Sequence, residues 1–153
     1  MPRPLVLAFF PAAFSGAEDD GCTCQLNALK AVADDGAAVL GVSKELPFSQ
    51  GAFMKELGLP FPIAYDKDLA TAEAFVGTFD LGAFLDKVGL STDLAGHVTT
   101  NRGCVVLGEG DEVLYSWVGL DENGESHPGL QPPTEEIKAA LGTTTTTSIK
   151  DMA

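Results

Sequence analysis

Residues 4–24 read PLVLAFFPAAFSGAEDDGCTC, an apolar run that ends at a proline and continues into a polar segment with two closely spaced cysteines. The run Pro4–Phe10 is short, rich in Val and Phe, and closed by Pro11, which is typical of a strand buried on both faces of a parallel sheet. Chemistry in open sheets of this kind is found at the carboxyl ends of the strands. We therefore expect a functional site in the loop after Phe10.

A second interpretation of the same segment is a secretory signal. Arg3 would be its positive end, Leu5–Phe10 its apolar part and residues 15–17 its cleavage site, so that an exported protein would begin at Glu18. The remaining sequence has no disulfide pattern that would call for export. We therefore favour the strand and expect a cytoplasmic protein.

The apolar spacing beyond this strand predicts an alternation of helices and strands. Helices are predicted over 20–33, 49–57, 66–76 and 134–141, and strands over 37–43, 61–65, 103–107 and 112–118. Residues 77–101 are ambiguous, with one or two helical turns inside a long connection. The order β-α-β-α-β-α-β-β-α predicts a mixed sheet with helices on both faces, and its closing hairpin and helix are the ending of a thioredoxin-like fold. One domain over 1–142 and a low-complexity tail over 143–153 are expected.

The composition excludes several classes of function. Of the 153 residues, 45% are hydrophobic, which suffices for a core. The 22 acidic residues outnumber the 9 basic ones and give a net charge of -13, which argues against binding to nucleic acid or to an anionic membrane surface. The longest apolar run, 5–14, contains a proline and is too short to span a bilayer. Three cysteines are too few for a disulfide scaffold.

Four segments, LVLAFFPAAFSGA, AVLGVS, PFSQGAF and LGLPFPIAYDKD, resemble the peroxiredoxins of the alkyl hydroperoxide reductase and thiol-specific antioxidant family. The resemblance covers about residues 4 to 141. The family signature is Pro, three residues, Thr or Ser, two residues, and then the peroxide-attacking cysteine. Pro11 and Ser15 match its first two positions, and Arg102 matches the family's active-site arginine. The resemblance implies a thioredoxin-like α/β sandwich that reduces hydroperoxides, takes electrons from a thioredoxin-like protein or a small thiol, and needs no cofactor.

The chain departs from the family at the nucleophile, because Glu18 occupies the position of the signature cysteine. A glutamate cannot attack a peroxide, but its carboxylate can pair with Arg102 much as an over-oxidised cysteine would. On this alignment the protein is a catalytically inactive homologue that acts as a binding or regulatory partner.

Cys22 offers an alternative nucleophile, four residues after Glu18 and hence one helical turn along the same face. The string Gly21-Cys22-Thr23 also resembles the Gly-Cys-Thr of bacterioferritin-comigratory-type peroxiredoxins. On this alignment Cys24 is the candidate resolving cysteine, although two residues are a tight spacing for a disulfide inside a helix. The remaining interpretation is that Cys22 and Cys24 are small residues on a helix flank.

The other candidate residues favour structural roles. Cys104 falls in a predicted buried strand and is interpreted as a small core residue. His97 and His127 fall in loops, and the Cys-x-Cys spacing lacks the usual two-residue gap, so no metal site is predicted. In peroxiredoxins, further strands precede the strand that corresponds to the one predicted here at Leu5. A sheet without them exposes an edge, which a homodimer could cover.

Overall fold

The computed structural model describes residues 1–15, 22–90 and 93–142, without the side chain of Cys24. The predicted tail over 143–153 and the start of the first predicted helix lie outside these residues. The elements in chain order are β1 (Leu5–Phe9), α1 (Cys22–Asp34), β2 (Ala38–Ser43), α2 (Pro47–Leu57), β3 (Ile63–Tyr65), α3 (Ala70–Phe75), β4 (Thr78–Asp80), α4 (Leu81–Lys87), β5 (Val98–Thr100), β6 (Gly103–Leu107), β7 (Val113–Val118) and α5 over residues 134–142.

A five-stranded mixed sheet in the order β3-β2-β1-β6-β7 forms the centre of the fold. Strand β1 runs parallel to β2 and antiparallel to β6, and all five of its residues are buried. This confirms the strand interpretation of the first apolar run and the predicted mixed sheet. Strands β3 and β7 are the edges of this sheet, whereas the homodimer stays a prediction.

Both faces of β1 are apolar, because each contributes to a different half of the core. Val6 and Ala8 face the cluster that contains the buried side of α1, whereas Leu7 and Phe9 face the cluster that contains Ala72 of α3. Side chains alternate between the two faces of a strand, so a strand covered on both sides must be continuously hydrophobic. The sheet is thus a layer between helices, as the thioredoxin-like prediction requires.

Helix α1 is positioned by one apolar face. Leu26, Leu29 and Val32 are all buried, at spacings of three residues that bring them to one side of a helix. Cys22 and Gln25 extend the same buried face toward the start of the helix. The first turn of α1 is therefore held against the carboxyl end of β1.

Helix α3 begins at Ala70, later than the predicted start at residue 66. The Asp66 carboxylate is buried and accepts hydrogen bonds from the amides of Thr71 and Ala72, at 3.2 and 2.9 Å. Leu69 has a φ of 59°, so right-handed helical geometry cannot extend back through it. The predicted helix is present, but residues 66–69 precede it, and the Asp66 side chain caps its first amides.

The expectation of a long connection over 77–101 is wrong in part. Strands β4 and β5 pair as a small antiparallel sheet, and α4 lies between them. Asp80 caps α4 by accepting the amide of Ala83 at 3.0 Å. Three-residue strands are too short to show an alternating pattern, so the apolar spacing showed only the helix.

In the parts of the chain that the structure covers, 1–15, 22–90 and 93–142, no helix is both long enough and apolar enough to cross a membrane.

Candidate active site

The loop that follows β1 leads into the candidate site, and hydrogen bonds to residues outside the main sheet fix its position. Pro11 is buried. Its carbonyl oxygen accepts a hydrogen bond of 2.9 Å from the buried Thr99 hydroxyl of β5. The amide of Ala13 donates to a carboxylate oxygen of Glu45, at 3.1 Å. The small second sheet and the segment that follows β2 therefore both fix the loop.

Cys22 is the first residue of α1, and its side chain is completely buried. The backbone amide of Ala12 donates a hydrogen bond to its sulfur, with an N···Sγ distance of 3.4 Å. A sulfur in this place faces the positive end of the helix dipole and a backbone N–H donor. Both features stabilise negative charge on the sulfur.

Ser15 ties the loop to the start of α1. Its hydroxyl donates to the carbonyl of Ala12 at 2.7 Å and accepts from the amide of Cys22 at 3.2 Å. Its own carbonyl accepts from the amide of Thr23 at 3.2 Å. These contacts satisfy amides that an α-helix leaves unpaired at its start. Ser15 thus holds Cys22 in place, whereas the role that its match to the family signature implies stays a prediction.

Arg102 lies just before β6 and is 2% exposed. Its Nη1 donates to Gln25 Oε1 and its Nε donates to the carbonyl of Pro128, both at 2.6 Å. Gln25 is on α1, one turn after Cys22, so the helix that carries the candidate nucleophile is bonded directly to the guanidinium. The structure therefore links Arg102 to α1 through Gln25, whereas its role as the active-site arginine stays a prediction.

Gln25 connects the candidate residues, and the sequence pattern did not single it out. Its side chain is completely buried, and its Nε2 donates to the carbonyl of Phe9 at 3.1 Å. The same nitrogen lies 3.5 Å from the Gly103 carbonyl and 3.9 Å from the Cys104 sulfur. Gln25 thus joins α1, β1, β6 and Arg102. The spacing of three residues from Cys22 was a signal that it shares the buried helix face.

Cys104 lies deeper in the sheet and is completely buried. Burial raises the pKa of its thiol to about 12, although the Gln25 contact and the Arg102 charge act in the opposite direction. A thiol with this pKa stays protonated at neutral pH and is a poor nucleophile. The prediction of a small core residue is confirmed.

Two predicted site residues cannot be placed. Glu18 lies outside the described residues, so its contact with Arg102 stays a prediction. The side chain of Cys24 also lies outside them, and its role as a resolving cysteine stays a prediction. The predicted loop histidines do lie away from the core, since His97 is exposed and the half-buried His127 contacts the Phe84 ring with centroids 5.5 Å apart.

The sequence matches the model of the AhpC/TSA family over residues 2–114. The chain therefore belongs to the AhpC/TSA family, in agreement with the resemblance drawn from its motifs. No curated protein sequence matches the chain at a significant level.

Solved peroxiredoxin structures share the fold. The bacterioferritin comigratory protein of Xanthomonas campestris is 20% identical, with a TM-score of 0.61 over 92% of this chain and 78% of that one. AhpC of Mycobacterium tuberculosis is 17% identical, with a TM-score of 0.61 over 92% and 68% of the two chains. The reduced Prx3 of Vibrio vulnificus, in complex with hydrogen peroxide, is 17% identical, with a TM-score of 0.58 over 77% and 71%.

Proposed function

We propose that the protein is a thiol-dependent peroxidase whose nucleophile is Cys22. The Cys22 thiolate attacks one oxygen of a hydroperoxide and breaks the O–O bond. The sulfur is oxidised to a sulfenic acid, and the other oxygen takes up a proton and leaves as an alcohol or water. The observation that carries the proposal is the hydrogen bond from the Ala12 amide to the Cys22 sulfur at the first residue of α1.

The charge of Arg102 supports the same step. Negative charge moves from the sulfur to the leaving oxygen as the O–O bond breaks, and a buried guanidinium nearby stabilises that charge most when water is excluded. Because Arg102 and α1 are joined through Gln25, the positive charge keeps a fixed position relative to the helix. Arg102 thus assists the nucleophile and needs no metal or cofactor for this role.

The sulfenic acid must be reduced before a second turnover. A second thiol condenses with it to form a disulfide and water, and two further electrons then reduce the disulfide. We propose Cys24 or an external thiol as the resolving group and a thioredoxin-like protein or small thiol as the reductant. A disulfide between residues two apart requires the first turn of α1 to open, because helical geometry separates the two side chains.

Two structural relatives support the substrate class. The work on the Xanthomonas campestris protein concerns its alkyl peroxide reduction activity, and the Vibrio vulnificus protein binds hydrogen peroxide. We extend this chemistry to the present chain as part of the proposal, together with an antioxidant role in the cytoplasm.

The proposal is tested by peroxide consumption with dithiothreitol or thioredoxin as reductant. The parent chain should turn over, Cys22→Ser should not, and Cys104→Ala should remain active because the Cys104 thiol is protonated in the core. Cys24→Ser should keep the dithiothreitol-dependent reaction and lose the thioredoxin-dependent one if Cys24 resolves the sulfenic acid. Activity that survives Cys22→Ser would refute the assignment.

A further inference from the structure

A chain of hydrogen bonds runs from the second sheet to the Cys22 sulfur. Thr99 Oγ1 donates to the carbonyl oxygen of Pro11 at 2.9 Å, and the amide of Ala12 donates to Cys22 Sγ at 3.4 Å. The Pro11 carbonyl and the Ala12 amide belong to one planar peptide group. The Thr99 hydroxyl and the sulfur therefore contact opposite ends of the same peptide.

This arrangement couples the hydroxyl to the sulfur in two ways. A hydrogen bond to a carbonyl oxygen polarises the peptide group and makes its N–H a stronger donor. The same bond also fixes the plane of the peptide and hence the direction of its N–H. Thr99 is 1% exposed, so water does not compete for its hydroxyl, and the effect on the sulfur is larger than it would be at the surface.

The hydroxyl of Thr99 is not required by the strand in which it lies. Thr99 pairs with Phe79 through the backbone of the small sheet, and β-branched residues of any polarity suit a strand. The neighbouring Thr100 is equally buried, yet its hydroxyl donates to the carbonyl of Asn101 at 2.9 Å. The two threonines thus lie in the same strand and are equally buried. They differ in that only the Thr99 hydroxyl donates to the loop that follows β1.

We propose that Thr99 is a positioning residue for Cys22, which it assists through the peptide between Pro11 and Ala12. The inference rests on the proposed function and adds to it a residue of β5. Glu45 holds the next amide of the loop, that of Ala13, so the peptide that faces the sulfur is held on both sides.

The test measures the rate constant for oxidation of Cys22 by hydrogen peroxide in single turnover, over a range of pH. Thr99→Val keeps the shape of the side chain and removes the hydroxyl. We expect it to react more slowly, by up to about fivefold, which is the equivalent of about 1 kcal/mol for complete loss of the Ala12 N–H···Sγ bond, and its pH profile to move to higher pH. Thr99→Ser restores the hydroxyl and should react within about twofold of the parent.

Thr100→Val is the matched control and should leave both the rate constant and its pH profile unchanged. If Thr99→Val does not fold, as judged by circular dichroism, Thr99→Ala is measured in the same way. A Thr99 variant without the hydroxyl that keeps the parent rate and pH profile would overturn the inference and leave the proposed function standing. Failure of Thr99→Ser to restore the rate would overturn it as well. If Cys22 of the parent does not react, both the proposed function and the inference are wrong.

Discussion

Replacing Gln25 with leucine removes the bond between α1 and Arg102 while nearly keeping the volume of the side chain. Arg102 is 2% exposed. It would lose the hydrogen bond from its Nη1 to Gln25 and keep the one from its Nε to the Pro128 carbonyl. A hydrogen bond to a charged group contributes about 1.5–3 kcal/mol to stability. The Phe9 carbonyl also loses the hydrogen bond that it accepts from Gln25 Nε2, which adds to the cost. We expect Gln25→Leu to lower the free energy of unfolding by about 2–3 kcal/mol.

Urea unfolding followed by circular dichroism measures this change. With a slope of about 2 kcal/mol per molar, the urea midpoint should fall by about 1–1.5 M. Asn27→Leu, on the exposed side of the same helix, is the control for adding a leucine to α1 and should change the midpoint little. Gln25→Glu keeps an acceptor for Arg102 and should lose less than Gln25→Leu. Equal midpoints for Gln25→Leu and Asn27→Leu would refute the reasoning.

Three further perturbations test separate parts of the structure. Burial raises the pKa of the Cys104 thiol from 9.0 to about 12, so the folded state binds this proton more tightly than the unfolded state. The resulting contribution to the free energy of unfolding is complete below about pH 9 and is lost as the pH rises toward about 12. Between about pH 8 and pH 10.5 the parent should lose about 2 kcal/mol more than Cys104→Ala. Ser15→Ala removes the hydroxyl that accepts the first amide of α1 and should cost about 1 kcal/mol. Gly82→Ala would overlap the Leu94 carbonyl and should cost about 1–3 kcal/mol, whereas Gly51→Ala meets open space in a helix and should gain about 0.5–1 kcal/mol.

Each of these expectations has an outcome that contradicts it. Parallel stability curves for the parent and Cys104→Ala above pH 9 would show that the buried thiol does not set the alkaline limit. A Ser15→Ala midpoint equal to that of the parent would show that the hydroxyl does not support the helix. Gly82→Ala and Gly51→Ala with the same thermal midpoint would show that Gly82 does not pack closely against Leu94 and Ala95.

The main sheet was predictable because its central strands are short, mostly apolar runs. Strand β1 is buried on both faces and closed by a proline, and β6 has the bounds predicted for it, Gly103–Leu107. The small sheet was not predictable, since β4 and β5 are three residues each and depend on contacts between residues about 20 apart. A local sequence pattern predicts a strand only when the strand is long enough to show alternating apolar and polar residues or a continuous apolar run.

The resemblance to the family made Pro11, Ser15 and Arg102 candidate site residues, because each matches a position of a family motif. Their roles at the site stay predictions. Gln25 and Thr99 were not found, because a glutamine on a helix and a threonine on a strand are common surface residues. Their roles arise from burial and from contacts with residues 77 and 88 positions away, which a single sequence does not show.

The role of Cys22 can be measured by treating the reduced protein with one equivalent of hydrogen peroxide, trapping sulfenic acid with dimedone and locating the adduct by peptide mass spectrometry. We predict that the adduct forms on Cys22 and that Cys104 stays a thiol. A chain in which Cys22 remains unmodified after the peroxide has been added would contradict the proposed nucleophile.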